Sequence, residues 1–253
     1  MVGVLPYQVK RKLGLNKIEI DPFVKELGVF TANDNSSCER KLIERFRKNW
    51  LVSQYRFNTM NIKLELPRLS FELTHHLNLQ EDIEKIRNSY SQNIKRNLKK
   101  ATSNSVEIRI SDDLELLISL FKNNVAHKIP GILEHQYDIL RDLFKQMNDR
   151  GLCKIYTAFS ALGQPLSSAL LVKSGNMLIY FFAASSQEGK ELNSQSLLLD
   201  HIIEHYSQSD FILDFEGGST DGLKRFYSGF GSKELQIPTY RRMIHSALLE
   251  KLK

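Results

Sequence analysis

The sequence has few cysteines, a single tryptophan and no long apolar run. Its two cysteines, Cys38 and Cys153, exclude a disulfide framework and cannot alone supply a four-ligand zinc site. The longest strongly apolar run, from Met177 to Ala184, is too short to span a bilayer. The first residues, MVGVLPYQVKRKLG, lack the apolar core of a signal peptide because Pro6 and Lys10 interrupt it. We therefore expect a cytoplasmic protein with no membrane span.

Two common site signatures are absent or incomplete. The glycine-rich stretch DFEGGSTDG, from Asp214 to Gly222, lacks the Gly-Lys-Ser/Thr of a P-loop. The stretch HIIEH, from His201 to His205, matches the H-x-x-E-H spelling of inverted zinc peptidases. However, its neighbouring leucines and isoleucines predict a buried helix, and the sequence offers no assigned third ligand. We expect no metal site.

The chain carries an excess of positive charge that is partly concentrated in one segment. The formal net charge is +6 and the pI is about 9.2, which favours anionic partners. The segment NIKRNLKKA places four cations within six residues: Lys95, Arg96, Lys99 and Lys100. This segment is either a solvated helix face or a phosphate-binding patch for RNA, coenzyme or anionic lipid. No RNA-binding motif with interleaved aromatic residues accompanies it.

The pattern of apolar residues predicts a mixed sheet with helices on both faces. Apolar residues recur at helical spacing over residues 81–101, and VEIRI alternates as a strand. We expect the next helix to begin at an N-cap Ser111, and another to cover residues 133–149. The runs CKIYTAFS, PLSSALLVK and MLIYFFAAS then predict an antiparallel meander. A helix over residues 193–208, the strand DFILDF, a helix over 220–230 and a last strand over 234–243 complete the order.

One place in this order is suited to a reaction site. The strand DFILDF follows a helical crossover, so we expect residues 211–215 to lie parallel to the meander strand at 177–184. These two strands should separate at their C-terminal ends, and the start of the helix at residue 193 should point at the gap.

The order of elements and the motif LKRFYSGFG, from Leu223 to Gly231, resemble the GNAT acyltransferase superfamily. The basic segment placed just before the domain resembles the FemAB-like branch, whose members consist of tandem GNAT-related units. The resemblance covers about residues 80–245. It implies a partial N-terminal GNAT-like unit at 1–66 and, at 67–253, a C-terminal GNAT-like acyltransferase domain that begins with the basic helix.

This resemblance implies an N-acyltransferase that uses acyl-CoA or, as in the FemAB branch, aminoacyl-tRNA as donor, with no tightly bound cofactor. GNAT enzymes hold the coenzyme pyrophosphate on a glycine-rich loop, but the corresponding SSQEGKELNSQSLL has one glycine. The residues that would bind the donor are Ala184, Ser185, Gly189, Asn193, Ser194, Gln195 and Ser196.

Three residues near the predicted gap are candidates for catalysis. Glu216 follows the crossover strand and could act as a base, Tyr227 could protonate the leaving group, and Lys224 could offset negative charge. Each also has an ordinary structural interpretation: a helix-end charge, a packed ring and a surface cation. A non-catalytic GNAT-fold protein that binds an anionic ligand or partner at the basic segment is therefore the alternative.

Overall fold

The computed structural model describes residues 3–12, 15–21, 23–24, 27–32, 36–49, 51–61, 64, 66–67, 69–128, 132–218 and 220–242. Within them the first elements are β1 (Gly3–Val4), β2 (Val9–Lys12), β3 (Leu15–Ile18), β4 (Phe30–Thr31), α1 (Ser36–Asn49), β5 (Leu51–Arg56), β6 (Leu69–Asn78), α2 (Ile83–Asn88), α3 (Gln92–Ser103) and β7 (Glu107–Ser111). The remainder are α4 (Leu114–Asn124), α5 (Glu134–Asn148), β8 (Cys153–Phe159), β9 (Pro165–Ser174), β10 (Met177–Ser185), α6 (Gln187–Glu191), α7 (Ser194–Tyr206), β11 (Ile212–Asp214), α8 (Asp221–Ser228) and β12 (Lys233–Arg242).

The chain divides into two compact units, one of which is built from both ends of the sequence. The first unit holds Met1–Leu73 and Leu235–Lys253, and the second holds Thr74–Glu234. The sequence predicts a different division, after residue 66, which is based on resemblance to GNAT units. That assignment of two GNAT-like domains stays a prediction.

The second unit contains a mixed, mostly antiparallel sheet, as the sequence predicts. Its strands follow the order β6–β11–β10–β9–β8–β7. The pair β10 and β11 is parallel, whereas every other adjacent pair in this order is antiparallel. The meander of β8, β9 and β10 and the parallel crossover to β11 are therefore confirmed.

Helices cover both faces of this sheet. On one face, Tyr156 of β8 contacts the ring of His201 in α7, with ring centroids 6.1 Å apart. On the other face, Phe182 of β10 contacts Phe121 of α4, with centroids 4.5 Å apart. The larger core lies on the α7 face, where α3, α7 and α8 bury apolar residues against the strands.

The first unit has a smaller core of its own. Its strands follow the order β2–β3–β5–β12, in which β3 and β5 are parallel and the other two pairs are antiparallel. Helix α1 places Phe46 against Tyr55 of β5, with ring centroids 4.8 Å apart, and Phe57 and Tyr240 extend this aromatic cluster. These contacts give the unit a continuous apolar interior.

Two helix boundaries differ from those predicted. The helical pattern over residues 81–101 is divided between α2 and α3, because Ser91 caps α3 by accepting a hydrogen bond from the N–H of Ile94. Asp113, rather than Ser111, is the N-cap of α4, and its carboxylate accepts from the N–H of Leu116. In both places a side chain satisfies a backbone donor that the helix leaves open.

No helix in the described part of the chain is long and apolar enough to cross a membrane.

Candidate active site

The ladder between β10 and β11 ends early and leaves a gap between the two strands. The last pair in register is Ile179 with Asp214, although β10 continues to Ser185. The register of β10 against β9 shifts between Tyr180 and Phe182, which marks a bulge immediately beyond the last pair. The predicted parallel pairing is confirmed, and the gap lies at the C-terminal end of β11.

The carboxylate of Asp214 is the hydrogen-bonding centre of this gap. It is buried, and its Oδ1 accepts from the hydroxyl of Thr74 at 2.5 Å and from the backbone N–H of Glu216 at 2.9 Å. Its Oδ2 lies 3.6 Å from Nε2 of His76. Burial opposes ionisation, but the interactions with His76 and Thr74 outweigh it and hold the pKa of Asp214 below its ordinary value. Asp214 is therefore a carboxylate at neutral pH.

Glu216, the predicted base, follows directly after this anchor. Its backbone has φ +50°, a left-handed conformation that is unfavourable for a residue with a side chain. The hydrogen bond from its own N–H to Asp214 holds the chain in this turn. The residue is half-buried and stands where β11 ends.

Tyr227, the predicted proton donor, is brought to the same place by α8. This helix begins at the N-cap Thr220, and it packs the Tyr227 ring on Phe215, with centroids 4.8 Å apart. Burial, followed by the nearby charges of Glu216 and Asp214, raises the pKa of Tyr227 well above its ordinary value. Its hydroxyl therefore stays protonated at neutral pH, as a proton donor requires.

The buried ring of His75 supports Tyr227 from strand β6. The hydroxyl of Ser232 donates to the carbonyl of Tyr227 at 2.9 Å and lies 3.2 Å from Nδ1 of His75. Because Ser232 has one hydroxyl proton, Nδ1 of His75 must be the donor and Nε2 carries the lone pair. A Cβ at Gly218 would lie 2.8 Å from this Nε2, so only glycine fits there. Burial is the main reason that the pKa of His75 is lowered.

Lys224, the third predicted catalytic residue, lies on α8 and is partly exposed. Its ammonium group is 2.5 Å from the carboxylate of Glu234, so it already has a partner of opposite charge. The structure packs the Tyr227 ring on Phe215, the residue before Glu216, whereas it pairs Lys224 with Glu234. A direct role for Lys224 in charge compensation stays a prediction.

The predicted donor-binding segment contains a short helix where the sequence predicts a loop. Helix α6 occupies Gln187–Glu191, with Ser186 as its N-cap. Gly189 packs so closely on β9 that a Cβ would lie 2.1 Å from the carbonyl oxygen of Leu166. Asn193 then adopts φ +56° and begins α7. The single glycine of this segment is therefore explained by packing.

The serine side chains of this segment are engaged with one another. Ser185 donates to Oε1 of Gln195 at 2.6 Å and accepts from Ser167 at 2.8 Å. Ser194 contacts the same Ser167 and donates to the carbonyl of Gly189 at 3.0 Å. An anion bound here would therefore meet backbone N–H groups at the start of α7 rather than these hydroxyls.

The other two predicted donor-binding residues are also buried. Ala184 belongs to β10, and Ser196 lies in the first turn of α7, where its hydroxyl accepts from the side-chain amide of Asn97 at 3.3 Å. Since Asn97 belongs to α3, this bond joins the predicted donor-binding segment to the basic helix.

The basic helix α3 presents its four cations to solvent. Its apolar side chains, Ile94, Leu98 and Ala101, face the core, and Lys95, Arg96, Lys99 and Lys100 are exposed. Among the described residues, none of these four cations forms an ion pair, whereas Arg87 of α2 binds the carboxylates of Asp200 and Glu204. This face of α3 therefore keeps an uncompensated charge of four.

An open cleft of about 760 Å³ lies beside α3 and α7, away from these candidate catalytic residues. Lys99, Arg87, Asp200, His201 and Glu204 are among its lining residues, but Glu216, Tyr227 and the donor-binding segment are not. Glu216 directly follows Phe215, on which Tyr227 packs, at the end of β11, which makes the strand gap rather than this cleft the candidate active site.

The residues that sequence reasoning missed are Thr74, His75, His76 and Asp214. The sequence shows His75 and His76 only as an isolated pair, whereas the fold sends one ring to Tyr227 and the other to Asp214. Thr74 and Asp214 are 140 residues apart in the chain. The one signal that could have found them is the position of two adjacent histidines near the end of a strand. No group of three or more potential metal ligands occurs in the part of the chain that the structure describes.

The family model for the acetyltransferase (GNAT) domain matches residues 88–225, which is more than half of the chain. That segment contains the meander, the crossover helix α7, Asp214 and Glu216, and it ends just before Tyr227. No curated protein matches the sequence closely enough to be counted as a relative.

Solved structures share the fold at low sequence identity. The structure of FemX matches with a TM-score of 0.62 and 11% identity over 99% of this chain and 90% of its own. The C-terminal domain of a putative lysylphosphatidylglycerol synthetase from Agrobacterium fabrum has a TM-score of 0.58 and 9% identity over 97% and 86%. L-PGS from Bacillus licheniformis has a TM-score of 0.54 and 9% identity over 93% and 83%. At such identities the likeness concerns the fold.

Proposed function

The chain belongs to the acetyltransferase (GNAT) domain family, and on this premise we propose that it is an N-acyltransferase. It moves an acyl or aminoacyl group from acyl-CoA or aminoacyl-tRNA to an amine. The observation that carries the proposal is the packing of the Tyr227 ring on Phe215, the residue between Asp214 and Glu216, where the ladder between β10 and β11 ends.

The reaction needs a proton acceptor for the amine and a proton donor for the leaving group. The amine nitrogen attacks the carbonyl carbon of the donor, a C–N bond forms, and the C–S or C–O bond of the donor breaks. Glu216 accepts the proton that the nitrogen loses, and Tyr227 gives its proton to the departing thiolate or alkoxide. Glu216 then returns the proton to Tyr227, which restores both groups for the next turnover.

The donor is held at the start of α7. Backbone N–H groups in the first turn of a helix form a site for phosphate, and Ser194 and Gln195 supply them here. The donor-binding residues in this proposal are those expected from the sequence: Ala184, Ser185, Gly189, Asn193, Ser194, Gln195 and Ser196. We rank acyl-CoA ahead of aminoacyl-tRNA as the co-substrate.

A second candidate function rests on the basic helix. The uncompensated cations of α3 favour an anionic ligand or partner, with or without catalysis at the gap. A GNAT-fold binding protein without transferase activity is therefore the alternative.

Substitution of Tyr227 by phenylalanine tests the proposal most directly. Y227F keeps the ring contacts with Phe215 and removes only the proton donor. We expect unchanged thermal unfolding and a loss of transfer of about 10²-fold or more, measured with acetyl-CoA and a panel of amines. E216Q should lower the rate and change its pH dependence.

Tyr206 provides the matched control. It is also a buried tyrosine, but it lies at the end of α7 and packs on Phe211. Y206F should transfer acetyl groups at the rate of the unmodified protein. Equal rates for Y227F and the unmodified protein would eliminate Tyr227 as the donor, and binding of acetyl-CoA without transfer to any amine would favour the alternative.

A further inference from the structure

His76 and Asp214 form a carboxylate–imidazole pair that lies beside Glu216. The two residues are directly paired across the antiparallel strands β6 and β11, and Nε2 of His76 is 3.6 Å from Oδ2 of Asp214. The other carboxylate oxygen holds the backbone N–H of Glu216. A single carboxylate therefore faces the imidazole ring and also holds the turn that carries the predicted base.

The geometry assigns the two ring nitrogens of His76 to different tasks. Nε2 is buried and has no hydrogen-bond partner among the described residues, and the Asp214 carboxylate lies 3.6 Å from it, just beyond hydrogen-bond distance. The side chain as a whole is 14% exposed, so its exposed surface belongs to atoms other than Nε2. A carboxylate beside one imidazole nitrogen favours the N–H on that nitrogen and leaves the lone pair on the other, which is the arrangement of a general base.

Asp214, the partner of His76 across β11, is ionised, and His75, the preceding residue on β6, is kept neutral by burial. The ionised carboxylate favours a proton on Nε2, and thus the lone pair on Nδ1.

We propose that His76 is a further catalytic residue, which removes the first proton from the protonated amine and is oriented for this by Asp214. The inference rests on the proposed acyl transfer. The incoming R–NH3⁺ gives one proton to Nδ1 of His76 and becomes R–NH2, which attacks the donor carbonyl. Glu216 takes the second proton from the nitrogen as the leaving group departs with the proton of Tyr227. Glu216 then reprotonates Tyr227, and His76 releases its proton to water, so that one proton is released for each amide formed.

Nitrogen NMR tests the orientation of His76 without any substrate. Long-range ¹H–¹⁵N correlation spectra of the uniformly labelled protein, with His76 assigned from H76Q, should show the proton on Nε2 and a bare Nδ1. In D214N this pattern should change, since the partner of Nε2 loses its charge. A proton on Nδ1 in the unmodified protein, or an identical pattern in D214N, would overturn the pairing whatever the protein catalyses.

Kinetics with acetyl-CoA and an amine panel then test the catalytic role. We expect H76Q to lower kcat by about 10²-fold or more with little change in KM for acetyl-CoA. H76A should regain part of its rate when free imidazole is added, which a purely structural role would not allow. H135Q, at an exposed histidine in the first turn of α5, should match the unmodified protein.

The outcomes separate this inference from the function on which it rests. Transfer by the unmodified protein and by H76Q at equal rates would overturn the role of His76 and leave the transferase function in place. Absence of transfer by the unmodified protein with every donor and amine would overturn both, while the NMR result would still decide the pairing. Thermal unfolding of each variant identifies any loss of rate caused by misfolding, and H76N provides a second substitution at the site.

Discussion

Glu216 combines the role of a predicted base with a backbone conformation that costs free energy. A residue with a Cβ in the left-handed region is less stable than glycine there by about 1–2 kcal/mol. The chain places this residue between Asp214, which holds its N–H, and two glycines that continue the turn. Strain of this kind persists where the surrounding contacts fix the turn, and it is common at functional sites.

The strain predicts that glycine is more stable than alanine at this position, which is the reverse of the usual order. E216G should be more stable than E216A by about 1 kcal/mol, because only glycine accepts φ +50° without cost. Both variants remove the same carboxylate, so their difference isolates the backbone. Urea unfolding of both variants measures it.

Asp142, exposed on α5, is the control position for this comparison. There D142A should be more stable than D142G by about 0.5–1 kcal/mol, the usual order inside a helix. The same order at residue 216 would show that the left-handed turn is not strained.

His75 predicts how stability depends on pH. Its pKa is lowered from the ordinary 6.5, mainly by burial, so below pH 6.5 the unfolded chain binds a proton that the folded chain does not. The free energy of unfolding should therefore fall as the pH decreases from 6.5 towards the lowered pKa. Urea unfolding between pH 5 and pH 8 should show this slope in the unmodified protein and a smaller slope in H75Q.

His205 serves as the comparison, because its pKa is also lowered but its ring is exposed at the surface of α7. H205Q should keep most of the slope. A slope that H75Q leaves intact would mean that His75 is not the group that titrates.

At the scale of elements, the sequence predicted regular structure well wherever neighbouring residues determine it. The meander strands are short runs rich in apolar residues, and the turns between them contain Gly163 and Gly175 at positive φ, which local patterns reveal. The division of the helix between α2 and α3 was not predictable, because its cause is tertiary. The N–H of Ser91 donates to the carbonyl of Gly229, and Gly231 packs against Ser89 from the far end of α8.

In the candidate site, too, the residues that local sequence reveals differ from those that only the tertiary structure brings together. Glu216 and Tyr227 could be proposed from the sequence because Glu216 ends the predicted crossover strand and Tyr227 lies in the motif that follows it. His76 and Asp214 meet only because β6 and β11 are neighbours in the sheet, and one sequence does not reveal that pairing. Helix α6 likewise depends on the close approach of Gly189 to β9.

The close approach of Gly189 to β9 predicts that alanine destabilises the protein at this position but stabilises it at Gly222, another glycine within a helix. G189A should lower the free energy of unfolding by about 1–3 kcal/mol, because the new Cβ would lie 2.1 Å from a backbone oxygen of Leu166 and α6 must move. G222A in α8 has open space around the new Cβ and should raise stability by up to about 1 kcal/mol. Thermal and urea unfolding compare the two variants directly.

The same pair of variants also tests the donor-binding segment. G189A should weaken the binding of acetyl-CoA in calorimetry, since displacement of α6 alters the approach to α7. G222A should bind it normally. Full stability in G189A would contradict the packing of α6 on β9, and normal binding in a destabilised G189A would place the donor elsewhere.

At the scale of the whole molecule, the distribution of charge bears on the choice of donor. The formal net charge is +6, and the four cations of α3 carry a charge of +4. Without them the chain would carry only +2, so this one helix face supplies most of the excess positive charge. Acyl-CoA brings a few phosphates to the start of α7, whereas tRNA brings many phosphates that a broad basic surface can contact. The two donors therefore differ in how strongly salt should weaken their binding.

Neutralising α3 should separate these cases without disturbing the fold. Replacement of Lys95, Arg96, Lys99 and Lys100 by glutamine removes no ion pair among the described residues, so we expect unfolding to be unchanged. Calorimetry with acetyl-CoA and with an aminoacyl-tRNA, each at two salt concentrations, then compares this variant with a control that replaces four exposed cations elsewhere. The control positions are Lys41, Lys145, Arg150 and Lys233.

If acyl-CoA is the donor, the unmodified protein should bind it at micromolar concentration with mild salt dependence, and neither charge variant should change this much. If tRNA is the donor, its binding should weaken steeply with salt, and the α3 variant alone should reduce the slope by about one for each phosphate that the helix no longer binds. The control carries the same net charge as the α3 variant, so a slope reduced equally in both would show attraction by total charge rather than recognition by this helix. Binding of tRNA to α3 without transfer to any amine would favour the non-catalytic function, because the basic face would then act without the gap between β10 and β11.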